Sequence, residues 1–173
     1  IEGPLALEYL EAMGTASRYA WLNRFLMDEM MRQSWARVIG VPSWSLLVDV
    51  PHNVIGQEYG RNIHRKGATP AHTGQLGVIP GSMGDASFIA VGAGNPDWLW
   101  SCSHGAGRQV KRQTMRNAKL DEGTWTCLTT NEERKIEEHP SAYKPIGPII
   151  DAQVEQGLIK ALVELRPLWT FKN

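Results

Sequence analysis

The sequence has few cysteines, no excess of one charge sign and no long apolar run, and each shortage removes a class of protein. Cys102 and Cys127 are its only cysteines. They lie far apart and outside any CxxC or zinc-finger spacing, so neither a disulfide framework nor a structural zinc site is supported. A reducing compartment fits such usage. Eighteen basic side chains stand against eighteen acidic ones, so a nucleic-acid surface has to be a local patch rather than a whole face. No apolar run approaches the roughly 18 residues that a membrane helix requires, and no charged start precedes an apolar signal core. A cytoplasmic protein with no membrane partner is expected. The chain starts IEGPLALEYL without a methionine, which reads as the interior of a longer polypeptide.

Turn-forming residues are plentiful. Seventeen glycines and ten prolines in 173 residues, 42% of them hydrophobic, predict a single domain over 1–173 with a sizeable core and many glycine-rich loops. Residues 4–39 carry Leu10, Met13, Ser17, Ala20, Met27 and Met31 at helical spacing. That predicts one long helix, or two with a break near Gly14, ended by Gly40-Val41-Pro42. WSLLVDV (44–50) reads as a buried strand closed by Pro51, which puts His52 and Asn53 just past a strand end. Residues 76–79 and 87–91 are further strands, and WLWSC is a strand leading into His104. Residues 108–119 form a candidate basic-faced helix, TWTCLTT a strand, and EERKIEEH a helix capped by Thr130 or Asn131. Pro148 opens a predicted C-terminal helix with Val154, Leu158, Leu162 and Leu165 on one face and Pro167 at its end, and LWTFKN closes as a short strand. The expected class is α+β, a mixed sheet with long N-terminal and C-terminal helices.

Chemistry concentrates in SCSHGAGRQVKR, residues 101–112. Gly105, Ala106 and Gly107 let a backbone approach a ligand, and Arg108, Lys111 and Arg112 point to an anionic one. A histidine between small residues is more often a hydrogen-bonded turn residue than a nucleophile. A helix opening near Gly107 would aim backbone N–H groups at a phosphate, and an imidazole beside it can attack phosphorus or shuttle a proton. VIPGSMG (78–84), followed by Ser87, is either a phosphate or ribose nest or a tight strand connection; it lacks the Gly-Lys-Ser/Thr of a Walker loop. Arg65 and Lys66 either hold nucleic-acid phosphates or solvate a turn. His52 beside Asn53 suits a metal or a nucleotide, but one histidine is not a metal site, and no H-x-H, HExxH or paired carboxylates complete it. His64, His72 and His139 read as turn or surface residues. The seven tryptophans read as core or interface.

In order, EYLEAMGTASRYAWLNRFLM, DVPHN, HRKGATPA, GVIPGSMGDASFI, SCSHGAGR, PSAYKPI and the final FKN resemble the C-terminal part of the RtcB family of RNA-splicing ligases. The resemblance runs nearly the full length. It implies a ligase that joins an RNA 3′-phosphate or 2′,3′-cyclic phosphate end to a 5′-hydroxyl end in tRNA splicing or RNA repair, using GTP and Mn²⁺, with an archease-type activator as a further partner. It places the guanylylated nucleophile on His104 and a manganese ligand that also contacts the nucleotide on His52, beside Asn53. GTP or GMP contacts fall on Pro80, Gly81, Ser82, Met83, Ser87, Gly105, Ala106 and Gly107, with Tyr143 against the guanine. Lys172 matches a near-terminal nucleotide-binding lysine, followed here by Asn173 where the family has glycine. Arg65, Lys66, Arg108 and Arg112 are the candidate RNA phosphate contacts. The family's Asp-x-x-Cys motif, Asn-His motif and further metal histidine do not occur in these residues, and neither cysteine matches. The resemblance therefore implies that this chain alone binds Mn²⁺ poorly and ligates nothing. Two other readings stay open: a catalytically silent guanine-nucleotide or RNA-binding module, and a metal phosphoesterase that uses His104 as an acid without GTP.

Overall fold

In a computed structural model, which describes residues 3–40, 44–116, 123 and 125–172, the 35 residues Pro4–Val38 form one unbroken helix, α1. Pro4 sits in the first turn, where a missing N–H costs nothing. Gly14 does not break the helix, because one interior glycine costs only about 1 kcal/mol against alanine. Ala6, Leu10, Met13, Ser17 and Ala20 form a half-buried stripe, whereas Met27 and Met31 are exposed. Of the expected stop signal, Gly40 follows the helix in a positive φ of 104°; Val41 and Pro42 lie outside the described residues.

The chain divides into two compact units, residues 1–66 and 67–173. In the first, residues 44–50 are not the expected strand. They find no sheet partner among the described residues and are tied instead to α1. Trp44 donates its indole N–H to Asp28 and meets the Trp35 ring edge-on, and Arg24 makes a bidentate pair with Asp49 at 2.6 and 2.8 Å. His52 consequently precedes a strand, β1 (Asn53–Glu58), instead of following one. β1 pairs antiparallel with β2 (Arg61–Lys66) through a two-residue turn, Tyr59 and Gly60, both with positive φ, as a tight hairpin needs. Under this hairpin the Arg65 guanidinium, 1% exposed, is held by both oxygens of Glu58 at 2.6 and 2.8 Å. Gly56 leaves room for that pair: a Cβ there would stand 2.3 Å from the Glu58 carboxylate.

In the second unit β3 (Ala68–Pro70) pairs antiparallel with β6 (Ser101–Ser103). The strands β4 (Leu76–Ile79), β5 (Ser87–Gly92) and β8 (Ile159–Leu165) form an antiparallel sheet in that order. β7 (Thr126–Thr129) and β9 (Trp169–Lys172) run parallel. Three helices complete the unit: α2 (Arg112–Met115), α3 (Glu132–Glu137) and α4 (Ile146–Glu155). The class is α+β as expected, with the strands in several small sheets. The core joins Ala71, Ile79, Ala90 and Cys102 from the strand region to Ile146 and Ile150 of α4, and Ala106 packs against it. His104 thus extends from a strand whose inner face is core.

Three expectations about this unit need correction. The long C-terminal helix stops at Glu155, so Leu158, Leu162 and Leu165 do not share a helical face with Val154. Gly157, at a φ of 65°, donates to the Val154 carbonyl while Leu158 donates to Gln153, the paired bonds of a left-handed helix cap. Beyond that cap IKALVEL is captured by the β5 edge, and cross-strand pairing overrides its tolerable helix propensity. The basic helix expected over 108–119 is the single turn α2; Lys119 lies outside the described residues. WLWSC is a strand only from Ser101, because Pro96–Trp98 form a 3₁₀ turn and Leu99 and Trp100 take positive φ values of 53° and 49°.

Candidate active site

β6 ends at Ser103, and His104 follows at once, half-buried, with its backbone N–H donating to the Gly67 carbonyl at 3.1 Å. The turn is braced from both sides. The Ser103 N–H donates to Gln153 Oε1 of α4 at 2.6 Å, and the Ser103 hydroxyl donates to the Gly105 carbonyl at 2.7 Å. Gln153 is itself buried and anchored through Nε2 to the Ile149 carbonyl. Gly105 approaches the second sequence-predicted cluster closely enough that a Cβ on it would lie 3.1 Å from the Pro80 carbonyl oxygen. HGAG and VIPGSMG, 20 or more positions apart in the chain, are therefore neighbours.

The loop after β4 is shaped by its own hydroxyls. Ser82 Oγ accepts the N–H groups of Gly84 and Asp85, both at 3.2 Å, and donates to the Asp85 carboxylate; Ser87 Oγ accepts the Gly81 N–H at 3.0 Å. Such local serine bonds stand in for a backbone turn. Gly81 has no room for any side chain, since a Cβ would fall 2.1 Å from the Ala86 carbonyl oxygen. Met83 is buried, and a Cβ on Gly84 would meet Pro140 and Trp125.

The segment after His104 pairs with the AYK motif. Gly107, at a φ of 74°, accepts the Lys144 N–H at 3.0 Å, Gln109 N–H donates to Ala142, and Arg108 bridges Tyr143. No α-helix starts near Gly107, so a helix N-terminus does not supply phosphate donors there. The Arg108 guanidinium lies over the Tyr143 ring, 4.9 Å from its centroid, and donates to the Tyr143 hydroxyl at 3.0 Å, to Glu138 Oε1 at 3.2 Å, and to the carbonyls of Glu137 and Val110. The Tyr143 hydroxyl in turn donates to Glu138 Oε2 by a short bond. Burial, and then the bond to Glu138 with its negative charge, push the Tyr143 phenol above its ordinary value, and Arg108 opposes the shift.

A phenol whose folded pKa is raised loses its stabilising protonated form only as pH climbs. The stability advantage of the wild type over Tyr143→Phe should be constant below about pH 10 and decline as pH rises through the raised value. Urea unfolding of the two proteins across alkaline pH measures this, and a pH-independent difference would contradict the assignment.

The other predicted residues are distributed differently. His52 and Asn53 lie in the first unit at the start of β1, both exposed. Lys66 ends β2 and is exposed, but Arg65, expected at RNA phosphate, is buried in its pair with Glu58. Arg112 is exposed and 3.4 Å from Glu138. Lys172 lies in β9, with its side chain, like Asn173, outside the described residues. His139 is a turn residue as expected but not a surface one: it is buried, its ring nitrogen Nδ1 lies 2.8 Å from the Ser141 hydroxyl, and Trp125 meets it edge-on. Sequence reading passed over Glu138 and Gln153. Glu138 had a faint signal, an acid five residues before Tyr143 in a segment rich in charge; Gln153 had none.

Among the described residues no group of three or more His, Cys, Asp or Glu side chains is placed to hold a metal ion. No helix there is long and apolar enough to cross a membrane.

The strand-end His104, the hydroxyl-shaped glycine loop that Gly105 meets and the Arg108–Tyr143 stack lie on neighbouring segments of the second unit, and comparison with known proteins gives the chain a family. The chain belongs to the family described as tRNA-splicing ligase RtcB, which matches residues 1–173. It is 34% identical over 203 residues to the RNA-splicing ligase RtcB of Mycobacterium tuberculosis, covering 100% of this chain and 46% of that protein. It is 35% identical over 180 residues to RNA-splicing ligase RtcB of Escherichia coli K12, covering 96% and 44%. With the tRNA-splicing ligase RtcB of Nanoarchaeum equitans the identity is 32% over 203 residues, covering 97% and 43%. The chain thus spans less than half the length of these relatives.

Proposed function

We propose that residues 1–173 are the C-terminal domain of a GTP-dependent ligase that joins RNA 3′-phosphate or 2′,3′-cyclic phosphate ends to 5′-hydroxyl ends. The observation that carries the reading is the seating of Gly105 on Pro80, which sets the His104 turn against the glycine-serine loop. Relatives named RNA-splicing ligase support the substrate class. A neutral nitrogen of His104 attacks the α-phosphorus of GTP; an N–P bond forms, the bond to the β-phosphate oxygen breaks, and pyrophosphate leaves. The guanylyl group then passes to the RNA 3′-phosphate, and the 5′-hydroxyl of the second RNA displaces GMP. In this scheme residues 80–83, with Ser87, cradle the nucleotide, Gly105 to Gly107 allow close approach, and Tyr143 faces the guanine. His52, Asn53 and Lys172 are the remaining nucleotide contacts.

Lys66 and Arg112, both exposed, are the stronger candidates for RNA phosphate. Arg65 and Arg108 serve structure first, because carboxylates already hold their guanidinium groups. The described residues do not form a manganese site by themselves; His52 supplies one ligand of a set that Mn²⁺ would need.

The test is intact-mass measurement after incubation with GTP and Mn²⁺, with the chain alone and with the N-terminal portion that relatives carry supplied in addition. An acid-labile GMP adduct on the wild type and none on His104→Ala is the expected result. A protein that binds GTP but forms no adduct in either setting would instead be a silent nucleotide-binding module.

A further inference from the structure

Nothing in the motifs accounts for Glu138, yet its single carboxylate gathers groups from three segments. Oε1 accepts Arg108 Nη1 at 3.2 Å and lies 3.4 Å from Arg112 Nε, while Oε2 accepts the Tyr143 hydroxyl. Glu138 follows directly on α3, and its neighbour Glu137 adds two further ties, a carbonyl to Arg108 and a carboxylate to Arg116 at 2.7 Å. Arg108 stands four positions after His104, so whatever fixes Arg108 limits how far the histidine turn can shift against residues 142–144. At 17% side-chain exposure the carboxylate is partly screened from water, where charge-assisted bonds are at their strongest and most directional.

We propose that Glu138 is a positioning residue for the guanine nucleotide, orienting Tyr143 and Arg108 as one rigid pair beside the His104 turn. It touches neither nucleotide nor RNA in this role. The inference rests on the reading of the pocket as a GTP site. Charge alone does not explain the arrangement. A glutamate that merely neutralised Arg108 would not also need the phenol, whose bond fixes the far end of the ring while the Arg108 guanidinium covers its face.

The experiment compares wild type, Glu138→Gln and Glu138→Asp in two measurements on the whole chain. Carbon-13 labelling of the four tyrosine rings gives a separate alkaline titration curve for Tyr143, with Glu138 and Arg108 as the charged groups facing it and Arg112 beside Glu138. Binding of a fluorescent GTP analogue gives the dissociation constant. In Glu138→Gln the Tyr143 midpoint should fall toward the ordinary value of a phenol, because a raising influence is removed while Arg108 stays. GTP affinity should fall roughly tenfold or more, as expected for loss of a hydrogen bond to a charged group. Glu138→Asp, which keeps the charge one methylene further back, should recover part of both. A shifted midpoint with unchanged GTP affinity would overturn the positioning role, as would no change in either. A wild type that does not bind the analogue, alone or with the N-terminal portion of relatives supplied, would remove the nucleotide reading and this inference together, which separates that failure from a wild type and a Glu138→Gln variant that bind equally.

Discussion

Glu58→Ala should destabilise the first unit by about 3–5 kcal/mol, and Arg65→Ala by less, although both remove the same ion pair. The asymmetry comes from what each leaves behind. Without Glu58, a guanidinium with 1% exposure loses its two-point acceptor and cannot reach water without opening the β1–β2 hairpin. Without Arg65, the surviving carboxylate is already 18% exposed and hydrates with a small movement. Urea unfolding followed by the fluorescence of the tryptophans on and beside α1 reads the order. Replacing both partners, with Glu58→Met and Arg65→Leu, should restore much of the loss, since apolar groups of similar volume remove the desolvation cost as well as the attraction. Equal single-variant effects would mean that the pair is not sequestered as described.

Gly81→Ala carries the second large effect, and here the damage is to binding. The atoms that its Cβ would meet, the carbonyl oxygens of Ala86 at 2.1 Å and Asp85 at 2.7 Å, are backbone and cannot rotate away. The loop must open, breaking the Gly81 N–H bond to Ser87 and disturbing the serine-held turn at Ser82. Overpacking of this kind costs about 1–3 kcal/mol in stability. Affinity for GTP should drop by more than the stability loss alone explains, because the loop that loses its shape is the proposed cradle. Calorimetric titration with GTP beside a thermal melt separates the two effects. Wild-type affinity in a folded Gly81→Ala protein would exclude residues 80–83 from the nucleotide site.

Helical spacing with Pro4 at its start marked α1, and the apolar runs at 76–79 and 87–91 marked β4 and β5, because in each the local pattern and the tertiary outcome agree. Residues 156–165 failed for a physical reason: IKALVEL suits a helix as well as a strand, and the deciding facts were a left-handed cap at Gly157 and an open edge on β5 that lies 60 to 80 residues earlier in the chain. WSLLVDV has strand composition but no strand to pair with among the described residues, so composition alone misled. For the candidate site, motif order pointed to His104, the 80–83 loop and Tyr143, and the fold brings Gly105, next to His104, against Pro80. The supporting residues left little trace: Gln153 braces a backbone N–H 50 positions away, and Glu138 gathers Arg108, Arg112 and Tyr143, and such pairings have no period to read.

The bond from the Ser103 N–H to Gln153 has a kinetic meaning as well as a geometric one. It joins the strand that ends at the histidine to a helix 50 residues further on, through a side chain that is buried and held at its other end by its own helix. Strand β6 is only three residues long and would fray readily on its own. Latched to α4, it opens only when the helix does, so the two behave as a single cooperative unit toward amide exchange. A short strand feeding a glycine-rich turn should therefore show amide protection close to that of α4, whose buried side chains it is tied to.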